Sequence, residues 1–173
     1  MELKKVEIDK PGSATSPLDL PKSVNTIDRH EFPIAGDVVV VRALSESVTY
    51  GNLELPSGRL AKINRNDILL GVLGKRRALK GFVGDVPDSV KSGDRLHLLN
   101  MGGVIGICKG HHSSFSDAIE VEVVGVACDA DGTVLNISDK ALETATSLST
   151  SAPIVMIAGT CMNSGKTVAA TEI

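Results

Sequence analysis

What most constrains this chain is the way its apolar runs are cut. Between Pro33 and Ser138 they are short, rich in Val, Ile and Leu, and broken by Gly, Asp, Asn or Pro. "DVVVVRAL" (37–44), "DILLGVLG" (67–74), "DRLHLLN" (94–100), "GGVIGICKG" (102–110) and "IEVEVVGVAC" (119–128) are too short for stable helices and suit strands. Strands recurring roughly every ten residues predict a mainly β domain over 33–138, a compact barrel or sandwich. Its expected core is Val38, Val40, Leu69, Val72, Leu96, Leu98, Ile105, Val121 and Val123. Two hairpins are expected, one around Pro56-Ser57-Gly58 and one through Asp129-Ala130-Asp131-Gly132.

One local pattern recurs. A Gly-Asp or Asn-Asp pair precedes a strand at "AGDVVVV", "RNDILLG" and "SGDRLHL". An Asp side chain there can accept backbone N–H bonds at the turn, and Gly tolerates positive φ. The pattern resembles the Gly-Asp turn of cradle-loop and double-psi barrels, which implies a small barrel of that kind.

Composition narrows the function. The chain has 173 residues, is 42% hydrophobic and carries a net charge of −3, so it can bury a core and is no general binder of nucleic acid or anionic membranes. Tyr50, Phe32, Phe82 and Phe115 are its only aromatic rings, too few for a single-strand stacking surface. Three widely spaced cysteines (Cys108, Cys128, Cys161) are not a disulfide framework, so a reducing cytoplasm is expected. No apolar h-region follows the N-terminus and no apolar run reaches 18 residues, so neither a signal peptide nor a membrane span is expected.

Residues 1–32 are expected to be an extended, partly mobile arm: "KKVEID" (4–9) suits a short strand, but Pro11, Gly12, Pro17 and Pro21 then interrupt any pattern. Residues 139–152 are rich in Ser, Thr and Ala. They read as a short helix over 139–146 and then a polar linker, with a domain boundary there.

The chemistry-bearing motif lies at 152–173, "APIVMIAGTCMNSGKTVAATEI". An apolar strand over 154–158 leads through a small-residue loop into a helix starting at Lys166. Small residues let loop N–H groups close around phosphate oxygens at the positive end of a helix. The ordinary Walker A pattern is missed by one residue, with Thr160 where its first Gly would be and Gly159 one place early. The spacing resembles dethiobiotin synthetase and its relatives among the ParA/MinD-like and nitrogenase-iron-protein-like P-loop ATPases. That resemblance covers residues 153–173. It implies ATP and Mg²⁺ as cofactors and Gly159, Thr160, Asn163, Ser164, Gly165, Lys166 and Thr167 as the phosphate loop. Lys166 would meet the β- and γ-phosphates, and Thr167 would offer its hydroxyl to Mg²⁺.

The sequence departs from those families at two points. Cys161 stands where dethiobiotin synthetase has Asp, and no signature Lys opens the loop as in ParA/MinD-like proteins. Neither a biotin-pathway ligase nor a ParA-like switch is supported. A P-loop domain needs a multi-stranded parallel sheet with helices on both faces, so the chain is expected to be the front piece of a longer ATPase, ligase or kinase-like protein. The β domain would then be a substrate-binding or regulatory module, for an unknown small-molecule or protein substrate. The alternative is a non-enzymatic β binding or assembly module with an incidental Gly-Lys-Thr turn. A homodimer is left open.

Two other constellations stand out. "CKGHH" brings Cys108, His111 and His112 together, with His97 on a nearby strand; these are zinc-ligand types, but a polar loop is the plainer reading because no second ligand pair exists. "GKRRALKG" gathers Lys75, Arg76, Arg77 and Lys80, suited to an anion or to a solvated basic loop.

Overall fold

A computed structural model of the chain describes residues 3–78, 80–147, 152–160 and 164–173. They fall into two compact units, Met1–Ala141 and Leu142–Ile173.

The first unit is mainly β. Its strands are β1 (Lys4–Glu7), β2 (Lys10–Pro11), β3 (Ser23–Ile27), β4 (Arg29–His30), β5 (Val38–Ala43), β6 (Asn52–Glu54) and β7 (Leu60–Lys62). They continue as β8 (Ile68–Leu73), β9 (Arg76–Arg77), β10 (Phe82–Asp85), β11 (Val90–Lys91), β12 (Arg95–Leu98), β13 (Val104–His111) and β14 (Glu120–Cys128). A closed circuit of pairings organises them. β14 pairs antiparallel with β5, β5 antiparallel with β8, and β8 parallel with β13. β12 then joins β13 back to β14, with His97 opposite Gly106 on one side and Glu120 on the other. The arrangement is a partly ring-closed sheet and not a clean barrel. β3 and β1 extend it beyond β14, and β10 and β9 extend it beyond β13. β6 and β7 form the first expected hairpin as a separate two-stranded sheet.

The three recurring turns share one construction. Ile34 N–H donates to Asp37 Oδ2 at 2.7 Å, Asn64 N–H to Asp67 Oδ2 at 2.6 Å and Lys91 N–H to Asp94 Oδ2 at 2.9 Å. Each Asp N–H returns to the carbonyl of that same residue three places back. The residue between must be left-handed, and Gly36 (φ 98°), Asn66 (φ 73°) and Gly93 (φ 89°) are. The second expected hairpin also closes. Asp129 N–H bonds Thr133 O at 2.9 Å, while the Asp129 carboxylate accepts from Asp131 and Thr133.

All nine expected core residues are buried, but they divide between two sides of the sheet. Val39 and Val41 pack with Leu69, Leu96, Leu98, Ile105, Val121 and Val123. Val38 and Val40 point the other way, against Leu70, Val72, Ile8 and Val24. A strand covered on both faces reads as a continuous apolar run, as "VVVV" does.

That second side is covered by residues read as a mobile arm. Residues 4–30 supply four strands: β1 pairs with β3, β3 with β14, β2 runs parallel to β8, and β4 pairs with β11. Between them a 3-10 turn (Ser13–Leu18) carries Pro17, and Gly12 crosses so near Gly102 and Gly103 that a Cβ there would sit 2.7 Å from a carbonyl oxygen. The prolines shorten the strands without preventing pairing. The apolar face of β5 and β8 needs cover, and Ile8 and Val24 provide it.

The expected helix over 139–146 is absent. A 3-10 turn (Ile137–Lys140) stands there, capped at Asn136 by reciprocal bonds with Ser138 N and Asp139, and the chain is extended by Ala141. Ser and Thr compete for backbone bonds and give this stretch little helical drive.

The second unit also departs from expectation. Residues 152–158 form no strand, and Ile154, Val155 and Met156 are exposed. Among its described residues the one helix is α1 (Lys166–Thr171), six residues long with none buried. The opening strand of a truncated α/β P-loop domain is therefore not formed in the described residues, and α1 stands without the sheet that such a domain would pack against it. A parallel strand is stabilised by neighbours on its edges and helices over its faces, and six helical residues alone fall below the length at which an isolated helix holds.

Candidate functional site

The Gly-Lys-Thr segment has a defined local geometry at its C-terminal side. Gly165 is left-handed (φ 83°) and immediately precedes α1, whose first helical bond runs from Ala169 N–H to Gly165 O at 2.9 Å. A side chain there would be strained whatever the space around it, which accounts for Gly at that place. The Lys166 ammonium donates to Ser164 Oγ at 3.1 Å. Gly159 lies so close to Ser164 and Lys166 that a Cβ would collide with both, so the start and end of the loop come together. Ser164, Gly165, Lys166 and Thr167 line one shallow hollow with Val168. Thr160 and Thr167 are exposed, and Lys166 is half-buried. Asn163, with Cys161 and Met162, lies outside the described residues. Six of the seven expected loop residues are thus placed. Their arrangement can present a cation, two hydroxyls and helix-opening N–H groups on one surface.

The other constellations are held by internal bonds. Arg76 donates to Leu99 O at 2.7 Å and Tyr50 Oη at 2.9 Å, and its guanidinium lies over the Tyr50 ring. Arg77 donates to Gly84 O and to Asp85, whose carboxyl is lowered in pKa by that bond first and by the arginine's charge. The two arginines clamp β9 to its surroundings instead of facing an anion.

The Cys-His group resolves in the same way. Cys108 N–H donates to His97 Nδ1 at 3.3 Å, His111 Nε2 meets Asp117 at 3.2 Å, and His112 Nδ1 meets Ser114 Oγ at 2.7 Å. Among the described residues no three His, Cys, Asp or Glu side chains are grouped to hold a metal. Burial, then the charge of Asp129, pushes the Cys128 thiol up, away from the reactive thiolate.

One buried polar cluster carries no signal in the sequence. Asp37, almost fully enclosed, accepts from Ile34 N–H, from Asn136 Nδ2 at 2.9 Å and from His30 Nε2 at 3.2 Å. Asp37 and Asn136 are 99 positions apart in the chain, so only the fold brings them together. Their geometry ties the turn before β5 to the capped turn at Asn136.

No helix among the described residues is long and apolar enough to cross a membrane. Comparison with protein-family models, with curated proteins and with solved structures finds no match to this chain.

Proposed function

We propose that residues 159–167 form a phosphate-binding loop for ATP with Mg²⁺, and that the β unit serves it as a substrate-binding or regulatory module. The observation that carries this reading is Gly165, left-handed at the threshold of a helix that opens with Lys166 and Thr167. On this reading the N–H groups that open the helix face the bound phosphate, where negative charge is favoured. Lys166 supplies the charge for the β- and γ-phosphates. Thr167 supplies a hydroxyl ligand to Mg²⁺. The chemistry downstream of binding is ATP hydrolysis or phosphoryl transfer to an acceptor, in the manner of an ATPase, ligase or kinase. In the same reading the ring of β5, β8, β12, β13 and β14, with its three Gly/Asn-Asp turns, is a small barrel of the cradle-loop kind.

A second reading has its own support. The packed core belongs to the β unit, and residues 154–158 pair with no strand among the described residues. On that reading the β unit is a non-enzymatic binding or assembly module.

Calorimetric titration with ATP, with and without Mg²⁺, separates the two. Lys166→Ala should weaken binding at least tenfold, which is about 1.4 kcal/mol. Thr167→Ala should reduce only the Mg²⁺-dependent part, and His112→Ala should change nothing. Equal affinity in Lys166→Ala and the parent, or no affinity in either, overturns the phosphate-loop reading and leaves the second.

A further inference from the structure

The N-terminal segment that covers β8 leaves a cleft of about 280 Å³ beneath it. Its apolar lining comes from Ile8, Leu20 and Leu70, with Pro11, Pro21 and Pro56 beside them. An apolar cavity of about 150 Å³ accommodates a benzene ring, so this one has room for a ring with a short substituent. It lies at or below the lower end of the range for drug-sized ligands, which argues for a small guest.

Three charged residues line the cleft, Lys22, Asp9 and Asp19. Lys22 is paired at 2.9 Å with Glu7, which lies outside the lining, so the charge around the cleft is net negative. Asp9 and Asp19 remain. Asp9 Oδ2 accepts from Ile68 N–H at 2.8 Å, which fixes its carboxylate at the cleft. The Asp19 carboxylate has no hydrogen-bond or ion-pair partner among the described residues. Asp19 is also left-handed (φ 45°), closing the 3-10 turn with its N–H on Ser16 O. Asp is among the few non-glycine residues that adopt this conformation at low cost.

We propose that this cleft binds a small organic cation with an apolar body, such as a primary ammonium on a ring or short chain. The ammonium sits beside Asp19 and Asp9, and the body covers Ile8, Leu20 and Leu70. A neutral isostere would keep the apolar contact and lose the ion pair, and an anion would be repelled. No residue after Leu70 lines the cleft, so the proposal does not rest on the phosphate loop.

The test is a ¹H–¹⁵N NMR titration of the protein, without nucleotide, with 2-phenylethylamine, 2-phenylethanol and phenylacetate. The amine should shift the amides of residues 8–22 and Leu70 saturably. The alcohol should bind at least fivefold more weakly, and phenylacetate should not bind. Asp19→Asn, which keeps a residue tolerant of the left-handed backbone, should bring the amine down to the affinity of the alcohol and leave the alcohol unchanged. Raising the salt concentration on the unaltered protein should weaken the amine alone. Equal affinity for the three probes, shifts centred elsewhere, or an amine affinity indifferent to both Asp19→Asn and salt overturns the proposal.

Discussion

Residues 38–41 and residues 154–158 are apolar runs of one kind in two units of the chain. In the first, Val38, Val39, Val40 and Val41 are completely buried. In the second, Ile154, Val155 and Met156 are more than two-thirds exposed. β5 has β14 on one edge and β8 on the other, and a packed cluster on each face. Residues 154–158 have no paired edge among the described residues. Hydrophobicity supplies the drive, about 25 cal/mol for each Å² of apolar surface removed from water, but neighbours decide whether that surface is removed. A lone run also leaves its backbone N–H and C=O groups unpaired, so desolvating it is opposed.

The strongest way to break this contrast is to truncate one side chain in each unit. Leu98→Ala should cost about 2–5 kcal/mol in denaturant unfolding, because it opens a cavity in the inner cluster. Val155→Ala should stay within about 0.5 kcal/mol. Comparable losses from both would show that the second run is packed after all.

The contrast can be sharpened within the β unit, where one turn construction meets two surroundings. Asp37→Ala should cost about 3 kcal/mol, since it strands the Ile34 N–H, Asn136 Nδ2 and His30 in a buried place. Asp94→Ala removes the same turn bond at an exposed site and should cost about 1 kcal/mol. Equal costs in equilibrium unfolding would mean that the turn alone matters and burial does not.

The smallest effect concerns the surface. Asp28 accepts from Lys4 and Ser92, and those bonds, the Lys4 bond foremost, hold its carboxyl below the ordinary carboxylate range. A depressed folded-state pKa means stability that is present above the unfolded value and lost as pH falls through the folded one. Asp28→Asn should therefore lower the unfolding midpoint slightly at neutral pH, where that stability is present, and converge with the parent in acid, which flattens the acid limb. A steeper acid limb in the variant would refute the assignment.

Much of the β unit was legible because its signals are local. The hairpin at Pro56-Ser57-Gly58 is set by turn chemistry, and Gly58 is left-handed as that turn requires. The Asp bonds at 37, 67 and 94 follow from residue type at a fixed offset. Of the N-terminal strands only β1, within "KKVEID", was readable; the others were not, because their pairing is decided elsewhere. β2 is placed by β8, nearly sixty positions on, as the Lys10–Asp67 ion pair also is. Prolines looked like interruption and are compatible with two-residue strands and a 3-10 turn. For the candidate site, the type and order of Gly165, Lys166 and Thr167 were readable. The missing strand was not, since sequence shows a run's hydrophobicity and not its partners. The cation cleft left no trace in the sequence either, because Asp19 and Leu70 become neighbours only through the sheet.

The closed circuit of pairings also sets the order in which this chain can fold. Arg42 on β5 and Glu122 on β14 are bonded across 80 positions, so β5 cannot complete its edge until β14 exists. At about 5–20 residues per second, a ribosome takes about 4–16 s to traverse that interval. Throughout it the four valines of β5 are unpaired on at least one edge, and a bare apolar strand is the kind of surface on which chains aggregate. Loop closure over such separations also slows spontaneous refolding relative to a helical protein of similar size. Whatever the finished ring gains from having few open edges, the nascent chain spends its synthesis with its most hydrophobic segment waiting for a partner that is made last.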